Sequence, residues 1–369
     1  MKKKRILFLI QLPPPVHGVS TINKIVTENP YVKDYFVSFI LELRFSSDFS
    51  ELRKMNLKKI IRFFRFYNNL KRKLEESAPD MVYFSFIPVG IGFFRDYLFL
   101  RLIKRYNSQV LLHLHNRGIS KYAKKMVYRY LYNRTFNNVS LIHVSRQIIE
   151  EEFGQMPSLR CKKYIVQNTC IPFENSEKSA VSGLVNIVYL SNLFPEKGIF
   201  ILLKAYSRIL EKYSDVQLHI FGSSLKSMYI RKLLKLLSSA GFNGKAFYHG
   251  YADERMKATA FSNCDIFIFP SYFSEECMPL AVLEAMQAGK PVIATRIGAL
   301  SEIIDNGKEG ILIEPGNISQ LVSSMDRLIS DVEIRKRLGS AARKRFYKEF
   351  SKDIFDRNIF EVFKQISQY

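Results

Sequence analysis

Glu276 and Glu284 stand eight positions apart in the segment PSYFSEECMPLAVLEAMQAGKPVIAT, residues 270–295. Apolar residues at 280, 283 and 286, closed by Gly289, predict a short helix. Pro279 suits its first position, where a missing N–H costs nothing. Glu276 is then expected in the loop before the helix and Glu284 inside it. The open N–H groups of a helix start favour a phosphate. A carboxylate on either side of that point can accept hydrogen bonds from hydroxyls. Such a device suits a molecule with hydroxyls at both ends and phosphates in the middle, the form of a nucleotide sugar. Taken alone, the same two glutamates read as a loop charge and a solvated helix residue.

Three other stretches carry candidate chemistry. In VYLSNLFPEKGIFILLKAY, Lys197 sits in a strand-to-helix turn beside Gly198, where a cation can meet a diphosphate; alone it reads as a surface lysine. In LIQLPPPVHGVSTINKIV, Gly18 opens a helix after a strand and a proline-rich turn. That is phosphate-loop geometry without either full glycine signature. Ser20 or Thr21 is expected near a bound phosphate, and His17 is either a turn residue or a ligand contact. In VLLHLHNRG, His113 and His115 are expected to point to opposite faces of a strand, His113 inward. His115 and Asn116 then fall at the strand end, and Arg117 is a candidate for an anionic acceptor.

The elements that must position these residues are legible as a pattern. Short apolar runs alternate with amphipathic segments, as in parallel α/β sheets. The strands expected in the first half are RILFLI, YFVSFIL, MVYFSF, QVLLHLH, SLIHVS and KYIVQN. Those in the second half are NIVYLS, VQLHIFG, AFYHGY, CDIFIFP, PVIAT and GILIEP. The chain's 369 residues fit two doubly wound domains in series. The division expected is a first domain at 1–172, a linker at 173–184, a second domain at 185–345 and a last helix at 346–369. Ligands of such sheets bind beyond the carboxyl ends of the strands, so the site is expected in a cleft between the domains.

The opening segment resembles the E-x7-E stretch of family 4 glycosyltransferases, which have the two-Rossmann GT-B architecture. The likeness runs without a gap from Glu275 to Asn317, with Gly298-Ala299 where the family usually has paired glycines. It implies that 1–172 is an N-terminal Rossmann-like, acceptor-binding domain and 185–345 a Rossmann-like nucleotide-sugar domain, with the helix 346–369 crossing back to the first; Glu276 would meet donor-sugar hydroxyls and Glu284 the ribose. It also brings the backbone N–H groups of Met278 and Leu280, flanking Pro279, near the sugar or its phosphate. The Lys197 loop resembles the family's GRL-x-x-x-KG loop, with Asn192 in place of the frequent arginine. YHGYADERM resembles the loop that cradles the base, where Gly250 and Tyr251 would give backbone contacts and stacking. Gly18 matches the first-domain glycine loop, and a histidine at the place of His115 lies near the donor sugar and the acceptor hydroxyl. Ser145 and Asn168 are expected to cap or line the cleft. The activity implied is retaining transfer of a sugar from a nucleoside diphosphate to a glycan or lipid-linked acceptor, in cell-surface polysaccharide biosynthesis. His115, Lys197 and Glu276 would be the catalytic residues. No DxD stands at a strand end, so no metal and no cofactor are expected. An epimerase or phosphorylase on the same fold, or a non-catalytic carbohydrate- or lipid-binding partner, remain the alternatives.

Composition adds the setting. Four cysteines without CxxC spacing point to a reducing cytoplasm rather than a disulfide framework. The apolar run Ile6–Ile10 is too short for a signal peptide, and no membrane-spanning run is present. Of a net charge of +22, the first 170 residues carry +18. A half this basic suggests an anionic partner. In 52–77, Leu57, Ile60, Ile61, Phe64, Tyr67, Leu70 and Leu74 are read as an inward stripe. Phe63 and Phe66 are expected outside among the cations, and GFFRDYLFLRLIKRY repeats the theme. That arrangement suits an anionic lipid surface, with the protein peripheral on the inner face of the plasma membrane. Nucleic acid is a weaker reading, because no recognised module is present.

Overall fold

The computed structural model describes residues 3–44, 57–106, 108–172, 183–224, 226–238 and 241–368; in the helix that begins at 57, side chains are described from 60. The chain divides into two compact units, one made of Met1–Thr169 with Lys352–Tyr369, the other of Cys170–Ser351. Of the linker expected at 173–184, only Gly183 and Leu184 lie within the described residues.

Unit 1 is built on six parallel strands: β1 (Lys4–Ile10), β2 (Phe36–Glu42), β3 (Met81–Phe86), β4 (Gln109–Leu114), β5 (Ser140–His143) and β6 (Lys162–Ile165). Their order is β2-β1-β3-β4-β5-β6. Every residue of β3 is buried, as expected of a parallel strand covered on both faces. The crossovers are α1 (Gly18–Glu28), α2 (Pro30–Tyr35), α3 (Leu57–Ser77), α4 (Gly90–Ile103), α5 (Ile119–Ala123), α6 (Met126–Phe136) and α7 (Arg146–Phe153). On one face of the sheet Leu7, Phe84 and Leu112 share a core with Leu70 of α3, Phe99 of α4 and Phe136 of α6. Each large side chain fully buried there contributes about 1.5–3 kcal/mol relative to exposure.

Unit 2 repeats the plan with β7 (Val185–Leu190), β8 (Val216–Phe221), β9 (Ala246–Tyr248), β10 (Ile266–Phe269), β11 (Val292–Thr295) and β12 (Gly310–Ile313), ordered β12-β11-β10-β7-β8-β9. Its helices are α8 (Ile199–Leu210), α9 (Ser227–Leu237), α10 (Glu254–Asn263), α11 (Leu280–Gln287), α12 (Leu300–Ile303), α13 (Ile318–Ser330) and α14 (Val332–Arg345). A π-helical turn at Phe346–Phe350 buries both of its phenylalanines. Residues 346–351, expected to travel with the terminal helix, therefore stay with unit 2.

The terminal helix, α15 (Lys352–Ser367), returns to unit 1. Phe363 packs on Phe8 and Tyr83, the side of the sheet opposite Phe84, and on Phe36. Asn29 Nδ2 donates to the Asp356 carbonyl at 2.8 Å.

All strands within each sheet are parallel, so their carboxyl ends share one edge. The order reverses between β1 and β3 in unit 1 and between β7 and β10 in unit 2. Loops at such a switch diverge and leave a crevice.

One expectation fails in α3. Leu70 and Leu74 are buried as read. Phe63 and Phe66 are not outside; both pack on Phe99 of α4. Ile60, Ile61 and Phe64 stand exposed instead. The inward face runs through 63, 66, 67, 70 and 74, also at helical spacing, because the Phe99 ring offers it a broad apolar seat.

Candidate active site

The loops after β7 and β10 face each other across the switch of unit 2. Pro195–Lys197 form one 3-10 turn, and Gly198 follows at φ +83°. A Cβ at Gly198 would lie 2.0 Å from the Pro270 carbonyl oxygen, so only glycine lets this turn sit against β10's exit. The backbone N–H of Tyr272 donates to the Glu196 carbonyl at 2.8 Å, and the Tyr189 hydroxyl to that of Lys197 at 3.2 Å. The turn is thus fixed from both sides, and it aims Lys197.

Lys197 Nζ lies 2.5 Å from Glu276 Oε2. Ser271 Oγ donates to the same oxygen at 3.2 Å. The two charged side chains are only 12% and 10% exposed, so this is a nearly dry ion pair. Rings of Phe194, Phe269 and Phe273 surround the ammonium at 4.9–5.9 Å from their centroids. Among the described residues no donor reaches Oε1 of Glu276. One carboxylate oxygen is therefore tied to the lysine while the other can accept from a substrate hydroxyl. Gly298, at φ +55°, closes the loop from behind: a Cβ there would meet the Glu276 carbonyl oxygen at 2.6 Å and that of Cys277 at 2.4 Å. The backbone N–H of Ala299 donates to the Cys277 carbonyl at 2.7 Å.

Helix α11 begins at Leu280, with Pro279 as its N-cap rather than its first residue. The difference is one position and leaves the start uncapped by any side chain. The first N–H groups of a helix have no acceptor within it, and their dipole favours an anion. Met278 and Pro279 are buried beside this start, and Leu280 is half-buried. Glu284 is buried within the helix, and Lys257 of α10 reaches its Oε1 at 2.8 Å. Burial pushes the Glu284 carboxyl up, and the ammonium beside it pulls it back. For Lys257 burial acts downward, but Glu284 and Glu254 outweigh it and raise the ammonium. The pair holds its charges mutually.

The loops after β8 and β9 complete this edge. Gly222, at φ +142°, would place a Cβ 1.8 Å from the Ser191 carbonyl oxygen, and its N–H donates to the Gly250 carbonyl at 2.7 Å. Gly250 sits at φ +77° and Tyr251 is 53% exposed. The Asn192 side chain is exposed, after the end of β7. A separate cavity of about 480 Å³ is lined by Asn186, His219, His249 and Arg255 and includes none of the expected site residues.

In unit 1 the corresponding edge gathers histidines. His17 is the N-cap of α1: its Nδ1 accepts from the Ser20 N–H at 3.2 Å, and Ser20 Oγ accepts from the His17 N–H at 3.0 Å. The Ser20 hydroxyl, expected near a phosphate, is buried in this cap and donates to the Pro15 carbonyl. Gly18 is exposed at the helix start. The expectation that His113 and His115 point to opposite faces is wrong, because residues two apart on a strand share a face. Their ring centroids are 4.0 Å apart. His113 is fully buried, with Nδ1 2.5 Å from the Tyr83 hydroxyl. His143, at the end of β5, joins them; its Nδ1 accepts from the Ser145 N–H at 3.3 Å. Burial lowers all three, with the neighbouring rings adding to the effect on His113 and His115; His115 falls to about 3 and His143 to about 4. All three rings are neutral at pH 7.

Arg117 is less available than expected, since Glu151 pairs with its guanidinium and Glu152 lies 4.0 Å away. Asn116 is half-buried beside it. Ser145 caps α7 by accepting from the Ile148 N–H at 3.1 Å, and Asn168 is buried. Among the described residues no three His, Cys, Asp or Glu side chains come together as a metal site.

Comparison with known proteins now bears on this geometry. Residues 173–345 match the family model of glycosyl transferases group 1. That match falls within unit 2, so unit 2 resembles a group 1 glycosyltransferase domain. A glycosyltransferase of Methanocaldococcus jannaschii is 26% identical over 260 residues, 67% of this chain and 65% of its own length. Sucrose-phosphate synthase from Thermosynechococcus elongatus superposes with a TM-score of 0.78 at 16% identity over 99% of both chains. Anabaena HepE, solved with UDP and glucose, gives 0.73 at 19% identity over 98% of this chain and 100% of its own. These likenesses show the GT-B fold, two parallel six-stranded sheets flanked by helices. Within unit 2, sequence reasoning missed Lys257 and Gly222; in unit 1 it missed His143. A histidine at the end of SLIH was the one available signal for the last. Lys257 meets Glu284 only through the folding of α10 against α11.

Proposed function

We propose that this protein transfers a sugar, with retained anomeric configuration, from a nucleoside-diphosphate sugar to a hydroxyl of a glycan or lipid-linked acceptor, in cell-surface polysaccharide assembly. The reading rests on the dry Lys197–Glu276 pair at the switch point of unit 2, beside the open start of α11. A diphosphate placed there meets an ammonium and a helix N-terminus together, which is how departing negative charge is stabilised. Glu276 Oε1 would take a sugar hydroxyl and Glu284 the ribose hydroxyls, with Gly250 and Tyr251 at the base. That HepE was solved with UDP and glucose agrees with this class of donor.

In the step itself, the anomeric carbon–oxygen bond to the diphosphate breaks. The acceptor oxygen bonds to that carbon from the same face, and its proton passes to the departing diphosphate oxygen. Glu276 orients and does not attack. His115, neutral and at the carboxyl edge of unit 1, would lie on the acceptor side with His17, Asn116 and Arg117. Lys197 supplies the cation that a bound metal supplies elsewhere, so transfer is expected to survive chelation with EDTA.

The test is calorimetric titration with a panel of nucleoside diphosphates, followed by a donor assay with NMR of the product anomer. One diphosphate should bind, and Lys197→Ala should weaken it about 10- to 100-fold, the worth of one charged hydrogen bond. Binding by Lys197→Ala equal to the parent protein, or an inverted product, would sink the proposal.

A further inference from the structure

Unit 1 carries exposed large apolar side chains on three helices that pack side by side. On α4, Ile91, Phe94 and Leu98 face outward at helical spacing, Ile91 being 74% exposed. On α3, Ile60, Ile61 and Phe64 do the same. On α6, Met126, Val127 and Tyr130 face outward, Met126 being 87% exposed. The helices are joined beneath by aromatic packing: Phe63 of α3 stacks on Phe99 of α4, and the buried Phe93 of α4 stacks on Tyr128 of α6. Apolar surface of this extent is rare on a monomer unless something covers it.

The surrounding charge says what covers it. Residues 81–149 hold eleven Lys or Arg and a single acid, Asp96, which is buried against Arg95. Residues 52–74 hold seven further Lys or Arg besides Arg53 and Lys54, and no acid. Arg65 on α3, Arg101 and Arg105 at the end of α4, and Lys124, Lys125 and Arg129 around α6 are all exposed. Six of the nine outward side chains are isoleucine, leucine, valine or methionine, which offer nucleic acid neither stacking nor hydrogen bonds. They gain by entering hydrocarbon, while neighbouring cations reach anionic headgroups.

We infer that the outward faces of α3, α4 and α6 dock unit 1 on an anionic lipid surface, inserting Phe64, Ile91 and Met126 below the headgroups. Among the described residues no helix is long and apolar enough to cross a membrane, so the attachment is interfacial. The inference goes beyond the transfer reading and does not depend on it, since donor binding lies in unit 2.

The experiment uses the full chain and sedimentation with vesicles of phosphatidylcholine alone or mixed with phosphatidylglycerol. Binding is expected to the mixed vesicles only and to fall as salt rises. The variant carrying Phe64→Ser, Ile91→Ser and Met126→Ser should bind at least about tenfold more weakly, because three inserted side chains are lost. Met228→Ser with Leu234→Ser, on α9 of unit 2, should change nothing. The chain has no tryptophan, so Ile91→Trp gives a single reporter whose emission should shift blue on the mixed vesicles. Circular dichroism and thermal unfolding of each variant report its folding separately. Equal sedimentation with both vesicle types, a triple variant that binds like its parent, an unshifted tryptophan, or single-stranded RNA bound through these residues in place of vesicles would each overturn the inference.

Discussion

A carboxylate taken out of water needs a cation, and the two glutamates of unit 2 have found theirs in different places: Glu276 in Lys197, Glu284 in Lys257. Removing either lysine would strand a buried charge, which typically costs 3–5 kcal/mol. The histidines of unit 1 have taken the opposite course and stay neutral. An unfolded chain protonates each near pH 6.5, whereas His143 in the fold resists until about 4 and His115 until about 3. Between those limits the unfolded state binds more protons, so stability falls as pH falls, by about 2 kcal/mol per ring at pH 5. Urea unfolding at pH 7 and pH 5 should show this loss, and His143→Asn should reduce it; an unaltered pH slope in the variant would contradict a buried neutral ring. Lys197 was legible because a lysine before a helix glycine is a local pattern. Lys257 was not, because its partner is 27 residues away in sequence and the meeting belongs to tertiary packing. The shared face of His113 and His115 was available from strand geometry alone.

At the scale of elements, what positions the site is a set of close backbone approaches that only glycine allows. Gly198→Ala would drive a methyl to 2.0 Å from the Pro270 carbonyl oxygen, at a φ of +83° that alanine rarely adopts. The turn must then move and carry Lys197 with it. Destabilisation of more than about 2 kcal/mol is expected, together with loss of nucleoside diphosphate binding; thermal unfolding and calorimetry read the two. Normal unfolding and binding in that variant would show that the β7 turn does not depend on this approach. The inner strands could be read as apolar runs, since parallel strands buried on both faces differ sharply from what flanks them, whereas β2 and β6, at the edges of their sheet, keep exposed residues. The inward face of α3 could not. Both candidate stripes have helical spacing, and the choice between them is made by Phe99, on another helix.

For the molecule as a whole, the decisive feature is that unit 1 is built from both ends of the chain. Deleting Lys352–Ser367 would uncover Phe8, Phe36 and Tyr83, which Phe363 covers. Losing one buried phenylalanine alone costs about 3–5 kcal/mol. The shortened chain should therefore lose protease resistance in its first 169 residues while Cys170–Ser351 survives digestion; uniform resistance would show that α15 is dispensable. Synthesis and maturation then run in opposite directions. Domains ordinarily fold as they leave the ribosome, earliest first. Here β1 is made before unit 2 and must wait for α15, made after it, with one side of its sheet unsealed throughout translation of unit 2, which can close as soon as its own strands are out.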